Sequence, residues 1–293
     1  MTPLVSIVIP TFNSAAYLDA AIQSVREQTY SPLEIIIVDD GSTDSTPAIL
    51  EKYGAPVRCI RQVNAGQSAA LNVGWHAASG DLLGYLASDD LLRPSAVAEI
   101  VKFMQARPDI VAAYPDFEMI DANTKKVRSV LAHDYNQQRL IASVVCLPGP
   151  GALFRRSAWQ VAGDWNTRLR QIPDLDFFFR LALVGPFARV PAELAAFRAH
   201  SNSATYGWIA KDRAEEPIVM VENFFSRPHL PSHVTAWRKS SQANALMLCG
   251  LMHALSDRRL DAFRYFGRAV AAKPSTLASE HGPALAAALW RRL

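Results

Sequence analysis

The first hundred residues alternate short, nearly unbroken apolar runs with stretches of helical periodicity. Val5-Ser6-Ile7-Val8-Ile9 has the pattern of a parallel strand covered on both faces, and Pro10 ends it. Tyr17, Leu18, Ala21, Ile22 and Val25 then recur at helical spacing. Residues 33–38 repeat the strand signature and stop at Asp39-Asp40-Gly41-Ser42. Residues 43–53 predict a helix, 57–61 a third strand, 68–78 another helix, and 82–87 a fourth strand closed by Ser88-Asp89-Asp90. Pro94 suits the start of the next helix, which is expected to run to about Gln105. Strand and helix in this order predict an α/β fold with a mostly parallel, doubly wound sheet and right-handed crossovers.

Farther along, residues 110–114, 152–154 and 194–198 read as strands, and 157–161 and 174–183 as helices. Gly149-Pro150-Gly151 predicts a tight turn of bare backbone where a substrate could approach. After about Thr205 the chain becomes helical, with Ala/Leu-rich periodicity over 245–255, 260–271 and 275–291. One helix hairpin over 246–274 has a tetratricopeptide-like pattern, but a single copy is no repeat array.

Composition narrows the class. A chain of 293 residues that is 50% hydrophobic and 19% charged is not a disordered or low-complexity one. No apolar run approaches the ~20 residues of a transmembrane helix. Met1-Thr2-Pro3-Leu4 leads directly into a strand, so no leader peptide is expected. Cys59, Cys146 and Cys249 are too scattered for a disulfide framework or a metal knuckle, and a cytoplasmic protein is expected. The net charge of +3 conceals an acidic residue 1–150 half and a basic 151–293 half. The acidic half argues against nucleic acid as a partner and suits a divalent cation. The basic half suits a solvated helical surface or, alternatively, an anionic membrane.

Doubly wound sheets bind ligands beyond the carboxyl ends of their strands. Pro10-Thr11 and Asn13, Asp39-Asp40, Asn64-Ala65-Gly66 and Ser88-Asp89-Asp90 all fall at such ends. Asp40, Ser42, Asp44 and Glu51 match four positions of a calcium loop, but Ser45 occupies the position that needs glycine. Ser42 or Thr43 can cap a helix, which leaves Asp39 and Asp40 free to accept a nucleobase N–H. The carboxylates after the fourth strand suit a hard divalent cation whose shell is completed by phosphate and water. Asp176 is placed to pair with Arg180 one turn on, whereas Asp174, after Pro173, is a candidate general base. His200 ends a strand-like run in a polar turn. His229 and His233 have zinc-like spacing, but Pro231 breaks the helix that spacing requires. Gly66-Gln67-Ser68-Ala69-Ala70 lacks the second glycine of a nucleophile elbow.

Together these residues resemble the family 2 glycosyltransferases. The resemblance is carried in order by residues 5–13, Gln28-Thr29-Tyr30, 34–44, 64–74, Gly80-Asp81, Ser88-Asp89-Asp90, Phe154-Arg155-Arg156, Asp174-Leu175-Asp176 and Phe197-Arg198-x-His200. It covers about residues 3–205. It implies a GT-A fold, Rossmann-like, and inverting transfer from a nucleotide-sugar with Mn²⁺ or Mg²⁺. It implies a catalytic domain over 1–205, with a nucleotide-binding half (1–105) and an acceptor half (106–205), followed by a helical extension (206–293). By the resemblance Thr11 and Asp40 hold the base, usually uracil, and residues 64–72, including Asn64, Gly66 and Asn72, border the nucleotide. Asp89 matches the metal-binding acid, with Asp90 and His200 beside it, and Asp174 the base, with Asp176 as the alternative. Ala87 replaces the first acid of the family's Asp-x-Asp, and Pro173 replaces the Glu before the base.

The partners expected are a nucleotide-sugar donor and a glycan, lipid-linked or other hydroxyl acceptor of cell-surface polysaccharide or glycoconjugate synthesis. The final helix, with Trp290, Arg291 and Arg292, is expected to pack on the catalytic domain or a twin subunit, or to rest on the inner face of a membrane. Two rival functions share this kind of sheet. Ala87 and Pro173 motivate an inactive nucleotide-binding relative; a sugar nucleotidyltransferase would need a Gly-rich basic loop where Asn13-Ser14-Ala15-Ala16 stands.

Overall fold

The computed structural model describes residues 2–200 and 207–290. In chain order the elements begin β1 (Val5–Thr11), α1 (Leu18–Arg26), β2 (Leu33–Asp39), α2 (Thr46–Leu50), β3 (Val57–Arg61), α3 (Gln67–Ala77) and β4 (Leu82–Tyr85). They continue β5 (Leu91–Leu92), α4 (Ala96–Ala106), β6 (Ala112–Ile120), β7 (Lys126–Val130), α5 (Gln137–Ala142), β8 (Leu153–Arg155), α6 (Arg156–Ala162), α7 (Pro173–Leu181) and β9 (Phe187–Arg198). The rest is helical: α8 (Lys211–Ala214), α9 (Glu216–Phe225), α10 (Ser232–Thr235), α11 (Arg238–Leu255), α12 (Arg259–Ala272), a 3₁₀ turn (Pro274–Ala278) and α13 (His281–Trp290).

Two compact units are formed, and the chain passes between them repeatedly. The first comprises Met1–Tyr135, Leu147–Thr167 and Leu181–His200; the second comprises Asn136–Cys146, Arg168–Arg180 and Ser201–Leu293. The domain boundary expected at 205/206 lies outside the described residues, as do Arg291, Arg292 and the Trp290 side chain.

In the first unit the sheet order is β3-β2-β1-β4-β8-β6-β9-β5, with β7 paired to β6. Its front half is the parallel arrangement read from the apolar runs: β1 pairs with β2 and β4, and β2 with β3, all parallel. Every residue of β1 is buried, as a strand covered on both faces requires. The rear half is mixed, because β8 runs antiparallel to β4 and β6, whereas β6 and β9 are parallel. The helix α3 lies close enough on the sheet that a Cβ at Gly74 would stand 2.3 Å from Val8 Cγ1 and 3.2 Å from Val38 Cγ2. Gly74→Ala is therefore expected to cost about 1–3 kcal/mol by overpacking, although alanine is the better helix former. A chemical denaturation midpoint at or above that of the parent chain would overturn this.

Several boundaries differ from expectation for identifiable reasons. The helix expected over 43–53 is only α2, since Thr43 and Asp44 donate their N–H groups to Asn13 Oδ1 at 2.8 and 3.3 Å. The Asp44 carboxylate, not Ser42 or Thr43, accepts the Thr46 N–H at 2.9 Å. The next helix starts at Ala96, two residues after Pro94. The single helix expected over 275–291 is broken into the 3₁₀ turn and α13; Ser279 between them is extended.

In the second unit α11 and α12 pack around Met247, Ala254, Ala262, Ala269 and Leu285. Glu216, at the start of α9, accepts the backbone N–H groups of Arg170, Gln171 and Ile172 at 2.7, 2.7 and 3.2 Å. That buried carboxylate fixes the approach to α7. Among the described residues, no helix is long and apolar enough to cross a membrane.

Candidate functional site

At the carboxyl ends of β1, β2 and β4 the loops are stitched to one another. Asn13 takes a left-handed conformation, and its amide N–H donates to Ser42 Oγ at 3.0 Å. The Ser14 N–H donates to Thr46 Oγ1 at 2.9 Å, and the Ser14 and Ser88 hydroxyls lie 2.7 Å apart. Asn13 and Ser88 thus serve to join three strand ends rather than standing alone.

Pro10 pairs with Val38 in register and Thr11 with Asp39, so the two polar ends lie side by side. Thr11 is buried and its hydroxyl has no partner among the described residues, which leaves a donor and acceptor available to a ligand. Asp39 Oδ1 accepts the Ser42 N–H at 2.9 Å, and its Oδ2 faces Arg61 at 3.4 Å. Asp40 is also buried. Its oxygens accept from Gln62 Nε2, Ala65 N and Gly66 N at 2.7, 2.8 and 2.7 Å, which shapes the 64–66 loop. Gly66 has φ +92°, and a Cβ on Gly41 (φ +79°) would meet the Asn64 backbone N at 2.9 Å. Asn64 is exposed at the rim. Asn72 is placed differently: its amide both donates to and accepts from the Trp165 backbone at 2.9 Å, beside Trp75.

Beyond β4, Asp89 and the end of β9 meet. Asp89 Oδ2 lies 2.9 Å from His200 Nε2. Asp90 turns inward, is 4% exposed, and accepts the Arg198 N–H at 2.8 Å. Burial and the adjacent Asp89 push the Asp90 carboxyl well above its ordinary range. Arg198, 1% exposed, donates from Nε to the Asp89 carbonyl at 2.8 Å. Its Nη1 donates to the Asp121 carbonyl at 3.0 Å and Thr124 Oγ1 at 2.9 Å. Tyr17 lies under the guanidinium, 4.7 Å away, and 5.1 Å from the His200 ring.

The sequence places Arg198 in a family-like motif and Tyr17 in a helical pattern, but neither reading gives it a role at the site. An arginine at the end of an apolar run was the available signal, since full burial demands partners. Arg198→Met is expected to cost about 2–4 kcal/mol, because the Asp89 and Asp121 carbonyls lose their donor. Lysine, lacking the planar fork, should restore only part. Thermal unfolding of both variants checks this; a melting temperature for Arg198→Met equal to that of the parent would refute it.

Among the described residues no group of three or more His, Cys, Asp or Glu is assembled for a metal ion. The pair Asp89 and His200 nevertheless presents a carboxylate oxygen and an imidazole nitrogen, donors that Mn²⁺ and Mg²⁺ accept when substrate phosphate and water fill the remaining positions. The residues present therefore fit such an ion.

The second unit holds the other two acids. Asp176 and Arg180 form a buried ion pair, with Nε and Nη2 donating to Oδ2 at 3.0 and 2.8 Å. Among the described residues Asp174 makes no such pair. Its Oδ1 accepts the Leu175 N–H at 2.8 Å, and the Cys146 thiol donates to Oδ2 at 3.7 Å. Burial raises the Asp174 carboxyl above its ordinary value. It also pushes the Cys146 thiol well up, so the sulfur keeps its proton.

A sequence model described as glycosyl transferase family 2 matches residues 6–161. The chain is 31% identical to the chondroitin synthase of Escherichia coli over 196 residues, 64% of this chain but only 28% of that protein. The fold is similar to Staphylococcus aureus TarS (residues 1–349) in complex with UDP-GlcNAc, with a TM-score of 0.70 at 17% identity, covering 97% of this chain and 86% of that one. It is also similar to the mannosyltransferase PcManGT of Pyrobaculum calidifontis in complex with GDP-Man and Mn²⁺, with a TM-score of 0.63 at 18% identity, covering 100% and 89%.

Proposed function

This chain belongs to glycosyl transferase family 2 and has the GT-A fold, and from that premise we propose that it transfers a sugar from a UDP-linked donor to a hydroxyl acceptor with inversion at the anomeric carbon. The acceptor class is a growing cell-surface polysaccharide or glycoconjugate, in keeping with the chondroitin synthase likeness. The observation that carries the reading is the Asp89–His200 pair beyond the carboxyl end of β4, in the same sheet whose β1 ends at the buried Thr11 hydroxyl.

In this reading residues 1–105 bind the nucleotide and 106–205 border the acceptor. Thr11 and the loop shaped by Asp40 receive the base. Asp89 and His200 would hold Mn²⁺ or Mg²⁺, which when bound offsets the charge growing on the leaving diphosphate. Asp174 takes the proton from the acceptor hydroxyl as that oxygen bonds to the anomeric carbon. The bond from that carbon to the diphosphate oxygen breaks, and its electron pair departs with the nucleotide.

Nucleotide release is measured across a panel of UDP-sugars and GDP-mannose, with and without Mn²⁺, and product configuration by NMR. Release of UDP from one UDP-sugar, dependent on Mn²⁺ and giving the inverted anomer, is expected. No release from any donor would leave an inactive nucleotide-binding relative. Pyrophosphate formed from a nucleoside triphosphate and a sugar phosphate would mean a nucleotidyltransferase.

A further inference from the structure

A helix packed on its neighbours ordinarily turns a charged or polar face outward. In the second unit α12 turns out a mixed face of large apolar side chains and arginines. Ala262, Tyr265 and Ala269 form its buried side. At about 100° per residue, Leu260, Phe263 and Gly267 fall on the opposite side, with Arg264 and Arg268 flanking them. Leu260 is 88% exposed and Phe263 56%. No acid stands among these outward positions; Asp261, at the flank, is faced by Lys211 at 3.5 Å.

Two further large apolar side chains are exposed near the start of the helix. Leu255, at the end of α11, and Trp208 are 52% and 73% exposed. The Ile209 N–H donates to Ser256 Oγ at 3.1 Å, which holds the Trp208 segment to the α11–α12 turn. The Arg258 guanidinium lies 5.3 Å over the Trp208 ring. Large apolar side chains, an exposed tryptophan and interleaved arginines are the composition of a surface that meets an interfacial membrane layer.

We propose that this surface docks the protein on an anionic lipid bilayer. Leu260, Phe263 and Trp208 seat at the boundary of headgroups and acyl chains, and Arg264 and Arg268 face the acidic headgroups. A second copy of the chain suits the surface less well, since a two-fold contact about the helix would set Arg264 and Arg268 against their own copies. The property is independent of which sugar is transferred, and its test needs neither donor nor metal.

The full chain is sedimented with phosphatidylcholine vesicles, with and without phosphatidylglycerol. Binding is expected only to the anionic vesicles and should weaken as salt is added. The double substitution Leu260→Glu/Phe263→Glu should weaken partitioning by about tenfold or more while leaving the melting temperature and nucleotide affinity unchanged. Arg264→Glu/Arg268→Glu should also lose binding. Protein left in the supernatant with anionic vesicles at low salt overturns the proposal, as does equal pelleting of the Leu260/Phe263 variant. A lipid-free dimer that this variant dissociates would assign the face to a second copy, and this too overturns it.

Discussion

Asp174→Asn is expected to cut sugar transfer by about 10²–10⁴-fold, the contribution of a positioned general base, with little change in nucleotide affinity. The same substitution should leave the fold equally or more stable at neutral pH. Burial raises the Asp174 carboxyl above its ordinary 3.8, so the folded chain holds this proton more tightly than the unfolded one. A carboxyl shifted in that direction takes stability away as pH rises through its folded value, and asparagine carries no such cost. For the same reason the acid limb of kcat/KM in the parent enzyme should lie above the usual carboxylate range, the rate falling as pH drops through it. Asp176→Asn makes the contrast. It breaks a buried ion pair with Arg180 and should cost about 3 kcal/mol of stability with a smaller effect on rate. Measuring kcat, UDP affinity and melting temperature for both variants decides the assignment. An active Asp174→Asn beside a folded but inactive Asp176→Asn would move the base by two residues, to Asp176.

Asp89→Ala is expected to abolish the metal dependence of nucleotide binding and to lower turnover by about 10²–10³-fold, the scale of losing one element of charge stabilisation at the leaving group. His200 keeps its ring in place beside Tyr17 but loses the carboxylate 2.9 Å away. The chain carries Ala87 at the neighbouring family acid, and Asp90, the other acid of that loop, is turned inward onto the Arg198 N–H. Calorimetric titration with UDP, with Mn²⁺ or with EDTA, reads the effect. The parent should bind UDP more tightly with Mn²⁺, and the variant should not distinguish the two conditions. Equal UDP affinity of the parent in Mn²⁺ and in EDTA would refute the assignment of Asp89 and His200 to a cation.

The front of the sheet was legible because β1, β2 and β4 are covered on both faces, so each reads as a continuous apolar run ending in polar residues. The same logic is silent for β7, whose residues are mostly exposed, and for β5, which is two residues long. The helix expected over 43–53 is only α2, and the Thr43 and Asp44 N–H groups ahead of it are held instead by Asn13, thirty residues earlier. Candidate site residues at strand ends could be named from position alone. Their partners could not, because Arg198 reaches Asp89 across 109 residues and Cys146 reaches Asp174 across 28. No local pattern encodes such a contact. Asn72 shows the converse: a polar residue in a family-like segment whose amide is fully engaged by the Trp165 backbone.

The carboxylate of Glu216, which gathers the N–H groups of residues 170–172 ahead of α7, sets an order on the making of this protein. The ribosome delivers Asp174 well before Glu216 and the helices that share its unit. The β1–β4 half of the sheet can form while the chain is still emerging, but the segment carrying the proposed base has to wait, by seconds at ordinary elongation rates, for its anchor. Translation that stops short of residue 216 would release a chain with its strand-end loops complete and its proposed base unmoored.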